Sequence, residues 1–297
     1  VIATAKLENE KALQQIAKTD SDPSVRRSAV SLMTNVDLLV AIGLNDVDAD
    51  VRTATLEYLP APVLNRIVTN DVSGLVRLEA VQRLDNPDVL NVVALSDSNE
   101  AVRIAAVQKL IDQRVLAQVA QYDRSPSARA AAVTKIHDQS IIEKIARRDS
   151  SLRVRRAATS RVIDQRVLKE IVRSEPEQDV RAIAVRKITE DGILEELLAD
   201  DRVDVRIEAV RVLENRRILE RTLRNDPSPL VRLEAVLLVN NVETLVETAL
   251  TDANPDVRKE AIRRVDLHDV LKRIADMDPD REVRAEALKQ IETLGLR

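Results

Sequence analysis

One residue returns at a fixed interval along the whole chain. Arginine stands at Arg26, Arg52, Arg77, Arg103, Arg129, Arg155, Arg181, Arg206, Arg232, Arg258 and Arg284, each preceded by Val except at Ala128. Successive gaps are 26 residues, twice shortened to 25. Six residues before each arginine stands an acid: Asp20, Asp46, Asp71, Asp97, Asp123, Asp149, Glu175, Asp200, Asp226, Asp252 and Asp278. Three residues after it stands Ala, with Thr55 the exception, and seven after it an aliphatic residue or Met, from Met33 to Ile291. A unit of 26 residues is too short to bury an apolar face alone, so neighbours must stack into a continuous core.

Within each repeat the pattern predicts two short helices. The first starts about three residues before the arginine, where Pro23, Pro126, Pro229 and Pro255 occupy the position that tolerates a missing N–H. N-cap residues precede it: Asp22, Asp48, Ser73, Asn99, Ser125, Ser151, Ser228, Asn254 and Asp280. On a helical wheel Val102, Ala106, Val107 and Leu110 share one arc, and Arg103 falls inside it, pointing at the core. The second helix follows a polar turn such as Asp112-Gln113-Arg114, carries a stripe such as Val115, Leu116, Val119 and Ala120, and is expected to run about two turns. Only four glycines and two aromatic residues, Tyr58 and Tyr122, occur among 297 residues, so the core is aliphatic and strand-and-turn folds are disfavoured. The expected fold is all-α, a right-handed α-solenoid of about eleven two-helix repeats forming one domain over residues 1–297.

The two 25-residue repeats lose their residue in the Pro60-Ala61-Pro62 turn and near Asp200-Asp201. Residues 1–20 read as a partial repeat, with Ala3 and Leu7 in the Ala and aliphatic positions and Leu13, Ile16, Ala17 and Asp20 completing its second half. The last repeat stops at Leu294-Gly295-Leu296, so the expectation is a piece of a longer array. The motif D-x-x-x-x-V-R-x-x-A resembles the first helix of HEAT-type repeats, and the short period resembles the variant leucine-rich repeats. That resemblance covers the chain and implies an Asp/Arg ladder along the stack and a role as an interaction scaffold.

Composition excludes several kinds of chemistry. Without cysteine there is no disulfide, no thiolate metal site and no thiol nucleophile; a cytoplasmic setting is the expectation. No apolar run has the length of a membrane span. Phosphate-binding, zinc-protease and serine-hydrolase motifs are missing, so neither catalysis nor a cofactor is expected. The acids Asp48 with Asp50, and Asp200 with Asp201 and Asp204, read as helix caps, and His137 and His268 as turn residues.

Net charge is −4, yet residues 143–173 hold ten basic and four acidic side chains, a local +6. Lys144, Arg147, Arg148, Arg153, Arg156, Arg161, Arg166 and Lys169 of that segment form a candidate patch for nucleic acid or an acidic partner. Arg155 belongs to the ladder. The leading expectation is a non-enzymatic interaction scaffold or structural spacer, any protein partner being held on second-helix positions that vary between repeats: Gln14 and Gln15, Asn65 and Arg66, Ala117 and Gln118, Glu143 and Lys144, Lys169 and Glu170, Glu195 and Glu196, Glu220 and Arg221, Lys272 and Arg273.

Overall fold

The computed structural model describes residues 2–295, with side chains from Asn9 onward. Its helices are α1 (Ile2–Thr19), α2 (Pro23–Val30), α3 (Val36–Asn45), α4 (Ala49–Thr55), α5 (Ala61–Asn70), α6 (Gly74–Arg83), α7 (Pro87–Ser96), α8 (Glu100–Lys109), α9 (Gln113–Tyr122), α10 (Pro126–Val133) and α11 (Gln139–Arg148). They continue with α12 (Leu152–Thr159), α13 (Gln165–Ser174), α14 (Gln178–Arg186), α15 (Asp191–Leu197), α16 (Val203–Val212), α17 (Arg216–Asn225), α18 (Pro229–Leu238), α19 (Val242–Thr251), α20 (Pro255–Ile262), α21 (His268–Met277) and α22 (Arg281–Thr293). Among the described residues there is no strand. Even-numbered helices carry the recurring arginine and form an A series; odd-numbered helices form a B series.

Contacts gather the chain into two compact units, Val1–Ala158 and Thr159–Arg297. In each unit A helices pack on A helices, as α6 does on α8 and α16 on α18, and B helices pack on the A helix that follows, as α9 does on α10 and α17 on α18. The sequence explains the layering. Val102, Ala106 and Val107 of α8 are fully buried, as are Leu116 and Ala120 of α9, and each large aliphatic side chain so buried contributes about 1.5–3 kcal/mol. Small residues at the shared positions let neighbouring helices approach closely. Where Ala gives way to Thr55, the facing helix answers with Gly43, whose Cβ would lie 2.4 Å from Thr55 Oγ1.

Several local expectations change. Most B helices run ten residues, nearly three turns. Leu110 is buried but lies past the end of α8 in extended backbone, so the chain leaves the helix without leaving the core. Ser73 and Ser228 occupy N-cap positions without accepting a cap hydrogen bond, whereas Asp22, Asp48, Asn99, Ser125, Asn254 and Asp280 accept one. The partial repeat at the start forms one continuous helix, α1, since Glu8, Glu10, Lys11 and Ala12 favour helix and no Gly or Pro interrupts them. The side chains of Ala3 and Leu7, and Leu296, lie outside the described residues. The Pro60-Ala61-Pro62 deletion is absorbed by a tight 3-10 turn, Leu56–Tyr58, before α5 begins.

Candidate binding surfaces

Each rung of the arginine ladder is built from three repeat positions. Arg103 donates from Nε to Asp123 Oδ2 at 2.7 Å and from Nη2 to Asp123 Oδ1 at 2.8 Å, while Nη1 donates to the Asp97 carbonyl at 2.8 Å. The carboxylate therefore comes from the following repeat, and the arginine's own acid supplies its main-chain oxygen. Arg26–Asp46, Arg52–Asp71, Arg77–Asp97 and Arg129–Asp149 repeat the fork in the first unit, and Arg206–Asp226, Arg232–Asp252 and Arg258–Asp278 in the second. Arg155 donates to the Asp149 carbonyl at 3.0 Å, and Arg284 to the carbonyls of Asp278 and Pro279 at 2.7 and 3.1 Å.

The acid also closes its own turn: Asp123 Oδ1 accepts the Ser125 N–H at 2.7 Å, and Asp46 Oδ1 the Asp48 N–H at 2.9 Å. Burial pushes the Asp123 and Asp46 carboxyls up, but the arginine and backbone donors outweigh it and hold both below their ordinary value. The same contact raises the guanidinium of Arg103, against the opposing effect of burial. With both partners buried and all three guanidinium nitrogens of Arg103 engaged, a rung of this kind is closed to a ligand.

Two further inter-repeat fastenings escaped the sequence reading. Lys109, six residues after Arg103, donates to the Gln82 carbonyl at 2.9 Å and approaches Asp85 at 3.5 Å. Lys135 reaches the Gln108 carbonyl likewise, and Arg264 the Val236 carbonyl together with Asn240 Oδ1. Each cation meets carbonyls left open at the end of the preceding A helix, where the helix dipole is negative. The signal was visible as the basic column Arg83, Lys109, Lys135, Arg161 and Lys187. The turn glutamines are the second fastening: Gln113 donates to the Lys135 carbonyl at 3.3 Å and accepts the His137 N–H at 2.9 Å, and Gln165 does the same with Lys187 and Thr189.

The candidate basic patch is distributed over different environments. Lys144, Arg148 and Arg166 are exposed side chains; Arg147 lies 3.5 Å from Glu143 of its own helix, and Arg153 donates to Ser127 Oγ at 3.1 Å. Arg156 is exposed, and Arg161 occupies the register position of Lys109 and Lys135. Lys169 forms an ion pair with Glu196 across neighbouring B helices. That contact holds the Glu196 carboxyl below its ordinary value.

The solvent faces of the B helices differ between the units. In the second, rows of opposite charge alternate: Arg173 pairs with Glu196 at 3.5 Å, Arg221 with Glu195 at 2.7 Å, and Arg224 with Glu247 at 2.9 Å. In the first, α3 to α9 present Val40, Ala41, Asn65, Arg66, Asn91, Val92, Leu95, Ala117 and Gln118, and among the described residues of α3, α5, α7 and α9 no ion pair joins one of these helices to the next. Val92 is 55% exposed, and the amide oxygens of Asn65 and Asn91, equivalent residues of successive repeats, have no hydrogen-bond partner.

The acid clusters resolve into caps and pairs. Asp48 caps α4, Asp200 binds Arg202, and Asp204 binds Arg181. His137 is exposed and His268 lies 3.6 Å from Asp269; no group of three or more His, Cys, Asp or Glu side chains arranged for a metal occurs among the described residues. Nor, among these, is any helix long and apolar enough to cross a membrane.

Comparison with known structures matches this arrangement. A leucine-rich repeat variant with a novel repetitive structural motif superposes with a TM-score of 0.59 at 22% identity, over 74% of this chain and 87% of that one. The chain is an α-solenoid repeat protein. The solenoid is also similar to the karyopherin Kap121p bound to the extreme C-terminus of the protein phosphatase Cdc14p, with a TM-score of 0.59 and 11% identity. It covers 95% of this chain and 45% of the karyopherin, so the solenoid spans under half of that protein. Residues 7–32 match the family model described as a HEAT repeat associated with sister chromatid cohesion. Among curated protein sequences none shows a match.

Proposed function

We propose that the solenoid is a non-enzymatic scaffold that binds a protein partner on the B-helix face of its first unit. The observation that carries this reading is the contrast between the two B faces. In the second unit neighbouring repeats consume one another's charges, whereas α5, α7 and α9 present aliphatic and amide side chains on an unvarying buried core. Exposed apolar side chains such as Val92 and Leu95 gain most from a partner, because their solvation is already poor. Kap121p, which shares the fold, was seen bound to a protein segment, and this supports the reading at the level of architecture.

The test is partner capture from the native source with Val92→Glu/Leu95→Glu, compared with Arg221→Glu in the second unit. The expected result is at least tenfold weaker capture by the first variant with an unchanged melting curve, and normal capture by the second. Equal capture by both would refute the assignment.

A second reading places an acidic partner or nucleic acid on the segment 143–173. It is favoured by Lys144, Arg148 and Arg166, which are exposed without an acid partner. Retention on heparin that falls steeply with salt and is lost in Arg147→Glu/Arg148→Glu would support it; no retention at low salt removes it.

A further inference from the structure

The repeat between Arg181 and Arg206 departs from the ladder template at several independent points. Its B helix, α15, has seven residues, and its substantial helix contact is with α16 alone. The end of α15 is tightened: the Asp200 N–H donates to Leu197 O at 3.1 Å, three residues back, where the Asp226 N–H reaches Thr222 O, four back, at 3.0 Å. The N-cap residues Glu177, Glu190 and Arg202 of α14, α15 and α16 accept no cap hydrogen bond.

Arg202 sits where the other repeats carry Asp, Asn, Ser or, at Glu177, Glu, and it turns onto the ladder acid. Its Nε donates to Asp200 Oδ1 at 2.9 Å and its Nη2 to Oδ2 at 2.8 Å, occupying both oxygens. Arg181 is displaced. Its Nε and Nη2 converge on the single oxygen Asp204 Oδ2, at 3.1 and 2.7 Å, instead of forking onto two. Asp204 is also the more accessible acceptor, with 21% of its side chain exposed against 4% for Asp226 in the next rung.

The competing groups stay close. Arg202 first, and Arg181 at longer range, both hold the Asp200 carboxyl below its ordinary value. A cavity of about 720 Å³ opens beside them, lined by residues that include Asp200, Asp201 and Arg202. Arg202, a third exposed, can therefore move into solvent at little cost, because a partly exposed ion pair contributes little.

We propose that Arg181 and Arg202 compete for Asp200, so that the joint between α14 and α16 has two states. In one, seen here, Arg202 holds Asp200 and Arg181 rests on Asp204. In the other, Arg202 swings out and Arg181 forks onto Asp200 as in every regular rung. The two states are close in energy because the N-cap position, two residues after the acid in every repeat, here carries an arginine long enough to turn back onto it; the other 25-residue repeat, with Ser73 at that position, keeps the regular Arg52–Asp71 fork.

The test is native-state amide exchange across α14–α16 for Asp204→Asn and Asp200→Asn, each in the parent and in an Arg202→Asn background. Arg202→Asn restores a normal N-cap and releases Asp200. In the parent, Asp204→Asn is expected to lower protection about tenfold. In the Arg202→Asn background that loss should shrink below about twofold and pass to Asp200→Asn, since Arg181 has changed partner. Any effect of Asp204 on the α16 dipole is common to both backgrounds and cancels. An equal loss from Asp204→Asn in both backgrounds, or none in the parent, would overturn the proposal. Should Arg202→Asn fail to fold, Arg202→Ala, which frees Asp200 without a new cap, repeats the cycle with the same expected transfer.

Discussion

Truncating Arg103 to Ala removes three hydrogen bonds and leaves the Asp123 carboxylate buried without its counterion. Breaking a buried pair from one side costs about 3–5 kcal/mol. Lys109→Ala removes a half-buried cation from the end of α6. It should cost about 1 kcal/mol, the scale of one charge-assisted bond to a helix terminus. Urea midpoints of the two variants check the ranking: the Arg103 variant should be the less stable by about 2 kcal/mol. Coincident midpoints would mean that the rung is no stronger than a surface contact. The difference has a physical root. A planar guanidinium satisfies a carboxylate fork and a carbonyl at once, whereas an ammonium is a point charge.

At the scale of helices, α3 and α4 show compensation between neighbours. Thr55 is the one departure from Ala three residues after the arginine; its hydroxyl donates to the Arg52 carbonyl at 2.7 Å, and the room it needs comes from Gly43. Gly43→Ala would drive a methyl group to 2.4 Å from Thr55 Oγ1. Overpacking of this kind costs about 1–3 kcal/mol. Adding Thr55→Ala should recover most of the loss, because Ala at that position is what the other repeats pack against. Thermal melts of the single and double variants decide the matter: a double variant no more stable than Gly43→Ala would show that the clash is relieved elsewhere.

For the molecule as a whole, a stacked array makes energetic coupling short-ranged, since each repeat touches only its neighbours. Arg52→Ala and Arg232→Ala share no partner and should add within about 0.5 kcal/mol. Arg103→Ala and Arg129→Ala should not add. Asp123 gives its carboxylate to Arg103 and its carbonyl to Arg129, so the first truncation already loosens the residue on which the second acts. Amide exchange, which reads repeats individually, separates these cases. A strictly additive adjacent pair would show that Asp123 does not transmit the coupling.

The architecture was legible because it rests on local rules repeated many times. The period, the A-helix starts at Pro23, Pro126, Pro229 and Pro255, and the inward arginine follow from helix geometry and from core volume. The patch 143–173 was legible as charge, but not as environment: only the fold sets Lys169 against Glu196 and gives Arg148 no acid partner. What sequence alone left open was which acid meets which arginine, because Asp97 and Asp123 are equivalent in register. Only the stacking of one repeat on the next assigns Asp123's carboxylate, and Asp97's carbonyl, to Arg103. The same holds for Arg181, which meets Asp204 where Arg202 already occupies both oxygens of Asp200. Periodicity specifies the spacing of groups along the chain; partner choice is a property of distances across it, and those exist only once the helices have packed.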